Sequence, residues 1–180
     1  MSLDPLPDWT AAFEAMPLAA TTAEGAQNFV STLVGLQDKV QAGATGSPGI
    51  LTTNAAPMIA AMSAMQPTAG TEWVDTVADA WQATLTASTI APGTAVNAAW
   101  TLSVVDTLTL PAAATTITTL AAAVATLKSG LNAAASAGPA AGPEKIAKAF
   151  RDAVLEFKFN CIGLAAGVPP IPTPVLLSAQ

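Results

Sequence analysis

The chain has 180 residues and carries only 6 Lys and Arg against 12 Asp and Glu, with no histidine, for a net charge of −6. The first basic residue is Lys39, so the clustered cations that nucleic acid and anionic membrane surfaces require are absent from the first part of the chain. The lack of histidine removes Ser-His-Asp triads and the usual zinc sites, and the single cysteine, Cys161, excludes an internal disulfide framework.

Charged residues make up 10% of the chain, against about 25% in an ordinary soluble domain. The apolar fraction of 52% is supplied largely by alanine, and aromatics make up 5%. Alanine buries little area per residue, so helices gain little by packing within such a chain, and few surface charges oppose association. The composition therefore implies that other subunits cover much of the surface.

Residues 1–8 read as an extended arm broken by Pro5 and Pro7, with Asp8 capping a short helix through Met16 in which Trp9 and Phe13 lie one turn apart. Thr21 or Thr22 caps a longer helix to about Gln41, with Glu24 in its first turn and a stripe of Phe29, Leu33, Leu36 and Val40, widened by Val30 and Val34. The run GATGSPG, residues 43–49, reads as a turn. Asn54 caps a segment whose methionines, Met58, Met62 and Met65, share a side and read as adaptable core. After Pro67 and Gly70, Thr71 caps a helix that turns Val74, Val77, Ala78, Trp81 and Leu85 inward. Glu72, Asp75 and Asp79 line an adjacent edge. Paired carboxylates can hold a metal or move protons, but acids in the first turns of a helix are expected from its dipole alone.

Residues 80–105 and 107–127 each lack charge, which raises the question of membrane spans. Both hold proline and many threonines, and alanine takes the place of leucine and isoleucine, so Ala112 to Leu127 reads as a closely packed helix. Trp100 to Pro111 is read as helix, although its Thr-Leu-Thr-Leu end alternates like a strand. Residues 129–142 read as a flexible connection. The final helix opens on Pro143 and Glu144, with Ile146, Phe150, Val154, Phe157 and Cys161 on one face and a stop at Gly163 or Gly167. Its interleaved charges (Glu144, Lys145, Lys148, Arg151, Asp152, Glu156, Lys158) read as a solvated face, and Cys161 as a small buried hydrophobe. The tail from Val168 is uncharged and rich in proline, which stiffens it toward polyproline II.

One internal echo stands out. Trp73, Asp75, Val77, Asp79 and Pro92 match Phe150, Asp152, Val154, Glu156 and Pro169 at a constant offset (150 − 73 = 77). No Walker-type phosphate loop, cysteine pair or strand-linked GxGxxG occurs. The expectation is therefore a non-enzymatic chain with no catalytic residue, no cofactor and no metal. No basic leader or apolar signal region precedes Trp9, which gives the expectation of a cytoplasmic start.

The helix WVDTVADAWQA, the low-charge Ala/Thr segments and the terminal GVPPIPTPVLLSAQ together resemble the small structural proteins of tailed bacteriophages and phage-tail-like contractile particles. The resemblance implies a neck, tail or baseplate subunit placed by symmetry and held by extended arms, found in the particle and assembled in the bacterial cytoplasm. Its partners would be copies of itself and other subunits of the particle, with no nucleic acid; a membrane-associated or secreted helical protein is the alternative. The expected fold is mainly α: an extended arm (1–8), a small-residue helical bundle (9–167) with minor β content around 100–110, and an extended tail (168–180). Candidate interface residues are Val168, Pro169, Pro170, Ile171, Pro172, Pro174, Val175, Leu176 and Leu177.

Overall fold

The computed structural model describes residues 5–39, 41–42, 46–47, 49–66, 71–90, 94–96, 107–109, 119–137, 142–165 and 171–178, and within them the chain is mainly α-helical. Helix α1 (Leu6–Glu14) starts two residues before the expected cap, with Pro5 extended at the N-cap and Pro7 inside the first turn. Proline there does not break the helix, because the first four N–H groups of a helix have no partner within it. The extended arm therefore does not reach residue 8.

Helix α2 (Thr22–Gln37) is capped as its sequence predicts: Thr21 Oγ1 accepts from the Glu24 N–H at 3.1 Å, and Glu24 Oε2 accepts from the Ala20 N–H at 2.8 Å. Val30, Leu33 and Leu36 are buried and Phe29 and Val34 are half-buried. The helix ends at Gln37 rather than Gln41, which opens strand β1 (Gln41–Ala42).

The run expected as a turn instead holds β2 (Gly46–Ser47) and the start of β3 (Gly49–Thr52). Helix α3 (Ala56–Ser63) follows, with Asn54 Oδ1 accepting from the Ala56 N–H and Met58 fully buried. Helix α4 (Glu72–Thr86) buries every residue expected to face inward, Val74, Val77, Ala78, Trp81 and Leu85. Then come β4 (Thr89–Ile90), β5 (Thr94–Val96) and β6 (Thr107–Thr109), so the Thr-Leu-Thr end of the ambiguous stretch is strand rather than helix.

Helix α5 (Leu120–Ala137) runs through most of the stretch expected to be a flexible connection. Alanine is the best helix former, and the buried Leu131 and Ala134 give this stretch an inward face. Helix α6 (Gly142–Leu155) stops earlier than its apolar spacing suggests, and β7 (Lys158–Ala165) takes over, placing Cys161 on a strand. The tail forms β8 (Ile171–Ser178), which pairs antiparallel with β7 at all eight positions and is therefore a strand, not a polyproline II arm. Expectations on Val40, Pro67, Gly70, Pro92, residues 100–106, residues 110–118 and Val168 to Pro170 lie outside the described residues.

Among the described residues all strand pairs are antiparallel, in a three-stranded sheet of order β1-β3-β4 and a five-stranded sheet of order β2-β5-β6-β7-β8. A two-fold pattern runs through this topology. Both β3-α3-α4-β4 and β6-α5-α6-β7 are a strand, two packed helices and a strand, with the outer strands paired to each other. The second helices align with each other at an offset of 69 (150 − 81 = 69), not 77. At 69, Ala78, Ala80, Trp81 and Leu85 fall on Ala147, Ala149, Phe150 and Val154, all buried, and the strand starting at Thr89 falls on the one starting at Lys158. At 77, half-buried Trp73 would fall on fully buried Phe150. The two offsets differ by eight residues, a little over two helical turns, so an amphipathic pattern echoes at both.

Phe150 lies at the centre of the core. Its ring lies 6.4 Å from Phe13, 5.7 Å from Phe29 and 6.0 Å from Trp81, and Trp81 in turn stacks on Phe157 at 5.7 Å. Such pairs each add about 0.5–1.5 kcal/mol beyond the area they bury, so one residue of α6 ties together α1, α2 and α4.

Candidate interaction surfaces

The acidic edge of α4 is occupied by a cation from the same chain. Lys128 on α5 reaches Asp75 at 2.9 Å and Asp79 at 3.0 Å, bridging the two helices. Hydrogen bonds to Asp75 and then Asp79 push the Lys128 pKa above the ordinary lysine value. Glu72 stands outside this pair of bridges. Among the described residues no group of three or more Asp, Glu, Cys or His side chains is placed to hold a metal. The arrangement is a solvent-exposed bridge between α4 and α5, with both carboxylates about 70% exposed, so solvent screens it.

A polar chain, fully buried at Trp81 and Gln37, links α2, the residues just after β3, and α4. Trp81 Nε1 donates to Gln37 Oε1 at 2.9 Å, and Gln37 Nε2 donates to Thr53 Oγ1 at 2.9 Å. The Thr53 N–H donates to Asp38 Oδ1, the Asn54 N–H to Ser88 Oγ, and Ser88 Oγ to the Thr84 carbonyl. Among the described residues, two buried groups, Trp9 Nε1 and Thr84 Oγ1, have no hydrogen-bond partner.

Of the expected interface residues, Ile171, Pro172, Pro174, Val175, Leu176 and Leu177 all lie on β8, at one end of the five-stranded sheet. Pro172 and Pro174 share parity, so their ring nitrogens face the same way. A strand prolines can occupy must turn those nitrogens away from its neighbour, and the outer edge of β8 therefore lacks donors at both positions. No charged residue follows Lys158, so prolines alone guard an edge that most proteins also protect with charge.

Sequence reading did not identify two further surfaces. Helices α5 and α6 approach so closely at Gly130 that a Cβ there would lie 2.6 Å from the Ala149 Cβ. The small residues on both helices leave an open groove of about 710 Å³, lined by Gly130, Ala133 and Ala149 and, from α6, by the balanced charges of Glu144, Lys145, Lys148 and Asp152. Lys148 and Asp152 pair with each other, one turn apart. The second surface is the loop between α1 and α2, where Leu18 is 98% exposed. Its only sequence signal is the apolar run Met16 to Ala20, set between two helices where a polar connection is the norm.

Among the described residues no helix is long and apolar enough to cross a membrane. Comparison of the chain with family models, with curated proteins and with solved structures finds no match.

Proposed function

We propose that this chain is a non-enzymatic structural subunit of a large symmetric protein assembly, of the phage virion or phage-tail-like kind, that acts through subunit packing and exchange of its C-terminal strand. The observation that carries this reading is β8, an eight-residue uncharged strand at the end of its sheet. Each backbone bond between β8 and β7 can be made equally well by the β8 of another copy, which is the condition for strand exchange at low cost. The low charge and alanine-rich helices support the same reading, because such a surface gains most by being covered.

Deleting residues 168–180 tests it. The helices and the aromatic cluster around Phe150 lie outside the deleted segment, so far-ultraviolet circular dichroism should retain its helical signal while assembly is lost. Assembly is read by sedimentation and electron microscopy. A truncated chain that assembles as the full chain does refutes strand exchange. Stable flotation of the full chain with liposomes would favour lipid contact over assembly.

A further inference from the structure

Helix α6 ends without a stop signal. No glycine or proline occurs between Pro143 and Gly163, and no basic residue lies in the last turn of the helix. The apolar spacing of Phe150, Val154 and Phe157 runs on to Cys161, with Gly163 placed to end a longer helix. A further turn would also bring Lys158 to the C-terminal end, where a cation offsets the helix dipole. Instead the Glu156 and Phe157 N–H groups bond back to the Ala153 and Val154 carbonyls in one tight turn, and Thr119 Oγ1 donates to the Glu156 carbonyl. That carbonyl is the one the Asn160 N–H would take if the helix continued.

The support for the strand that follows is uneven. Strand β6 pairs only with Ile162, Gly163 and Leu164, whereas β8 pairs with every residue of β7. Among the described residues, Lys158, Phe159, Asn160 and Cys161 therefore have β8 as their sole partner strand. A pairing of two strands is marginal by itself. We infer that residues 158–162 are a helix–strand switch: strand while β8 lies beside them, and a further turn of α6 when β8 is away. Phe157, fully buried, is the hinge. It follows Phe150 by seven residues (157 − 150 = 7), which in a continuous helix is within about 20° of the same face, so the longer helix keeps it toward the core. The switch rests on the fold alone; its use in assembly rests on the structural-subunit reading. There it withdraws the bare edge of β7 while β8 is exchanged between copies, instead of offering that edge to any strand.

Backbone chemical shifts, which move in opposite directions in helix and strand, test it on the full chain below its association range. Pro174 has no N–H, so its pair with Ile162 carries no ladder bonds, and the bonds fall on alternate pairs such as Cys161 with Val175. Val175→Pro breaks the ladder there, and residues 158–162 should change from strand to helix shifts. Leu176→Pro, at a position whose N–H faces away from β7, is the matched control and should keep strand shifts. Adding Asn160→Pro to Val175→Pro removes the N–H that closes the extra turn and should abolish the helix shifts. Deleting residues 168–180 removes β8 without adding a proline and should give the same helix shifts as Val175→Pro. Strand or random-coil shifts at 158–162 in both Val175→Pro and the deletion overturn the switch, as do helix shifts that survive Asn160→Pro. Loss of the α4 and α5 signals in the deletion overturns it as well, since the switch needs the helices to outlast β8. Sedimentation tests the assembly reading separately, so the two can fail independently.

Discussion

Gly130→Ala measures how closely α5 and α6 depend on the absence of one methyl group. In an exposed helix this change would stabilise by about 1 kcal/mol, because alanine loses less backbone entropy than glycine. Here the new Cβ would lie 2.6 Å from the Ala149 Cβ and 2.9 Å from its Cα, against 3.4 Å for ordinary contact. The helices must separate by 0.8 Å (3.4 − 2.6 = 0.8) at their closest point. Leu127 and Leu131 on α5 and Phe150 and Ala153 on α6 are all buried along the same seam, so the separation loosens them too. Overpacking of this kind costs about 1–3 kcal/mol, and the upper end applies because one obstacle is backbone. The net expectation is a loss of about 2 kcal/mol, which lowers Tm by about 4–8 °C in a chain of this size. Urea unfolding followed by circular dichroism, at fixed chain concentration, reads it. Gly35→Ala is the matched control: it lies in α2 with nothing within 4 Å of its Cβ position, and it should stabilise by about 0.5–1 kcal/mol. Ala149→Gly in the Gly130→Ala background should recover part of the loss, leaving a coupling of about 1 kcal/mol or more. If Gly130→Ala proved as stable as wild type while Gly35→Ala behaved as stated, the close approach would be wrong.

The polar bridges give two further expectations. Gln37→Met keeps the side-chain shape but strands the Trp81 N–H, buried at 0% exposure, and should cost about 1–3 kcal/mol with an unchanged denaturant slope; a midpoint equal to wild type would refute the buried network. Lys128→Met should flatten the alkaline end of the stability profile. The folded-state pKa of Lys128 is raised, so its contribution is fully present below the ordinary lysine value (about 10.4) and is lost as pH climbs through the higher folded one. Wild type should therefore lose stability across that window faster than the variant, and about 1 M salt should shrink the difference. Parallel curves would refute the bridge to Asp75 and Asp79.

Much of the helical framework is legible locally. Thr21 and Glu24 announce α2, and the residues expected to face inward on α4 are all buried. What was not legible depended on distant partners. The apolar spacing from Ile146 continues through Phe157, which is indeed buried, yet the helix ends at Leu155 because the following residues pair with β6 on one side and β8 on the other. The stretch 129–137 looked like a linker because its residues are small; only the facing helix α6 makes small size an asset. Of the candidate surfaces, the tail was found from composition, whereas the α5–α6 groove needed two helices in register and Leu18 needed a loop pinned by Asn28, eleven residues after Pro17.

By itself the sequence determined the cap of α2, the start of α4 and the apolar faces of both helices. These follow from short-range physics: a cap acts across three residues and a helical stripe repeats every turn. The tertiary structure decided where helices give way to strands, which strands pair, that Lys128 answers the acids of α4, and that the two units of strand, helix pair and strand align at an offset of 69 (150 − 81 = 69). Ladder hydrogen bonds and burial join residues far apart in the chain, and no local pattern encodes which distant partner will be there.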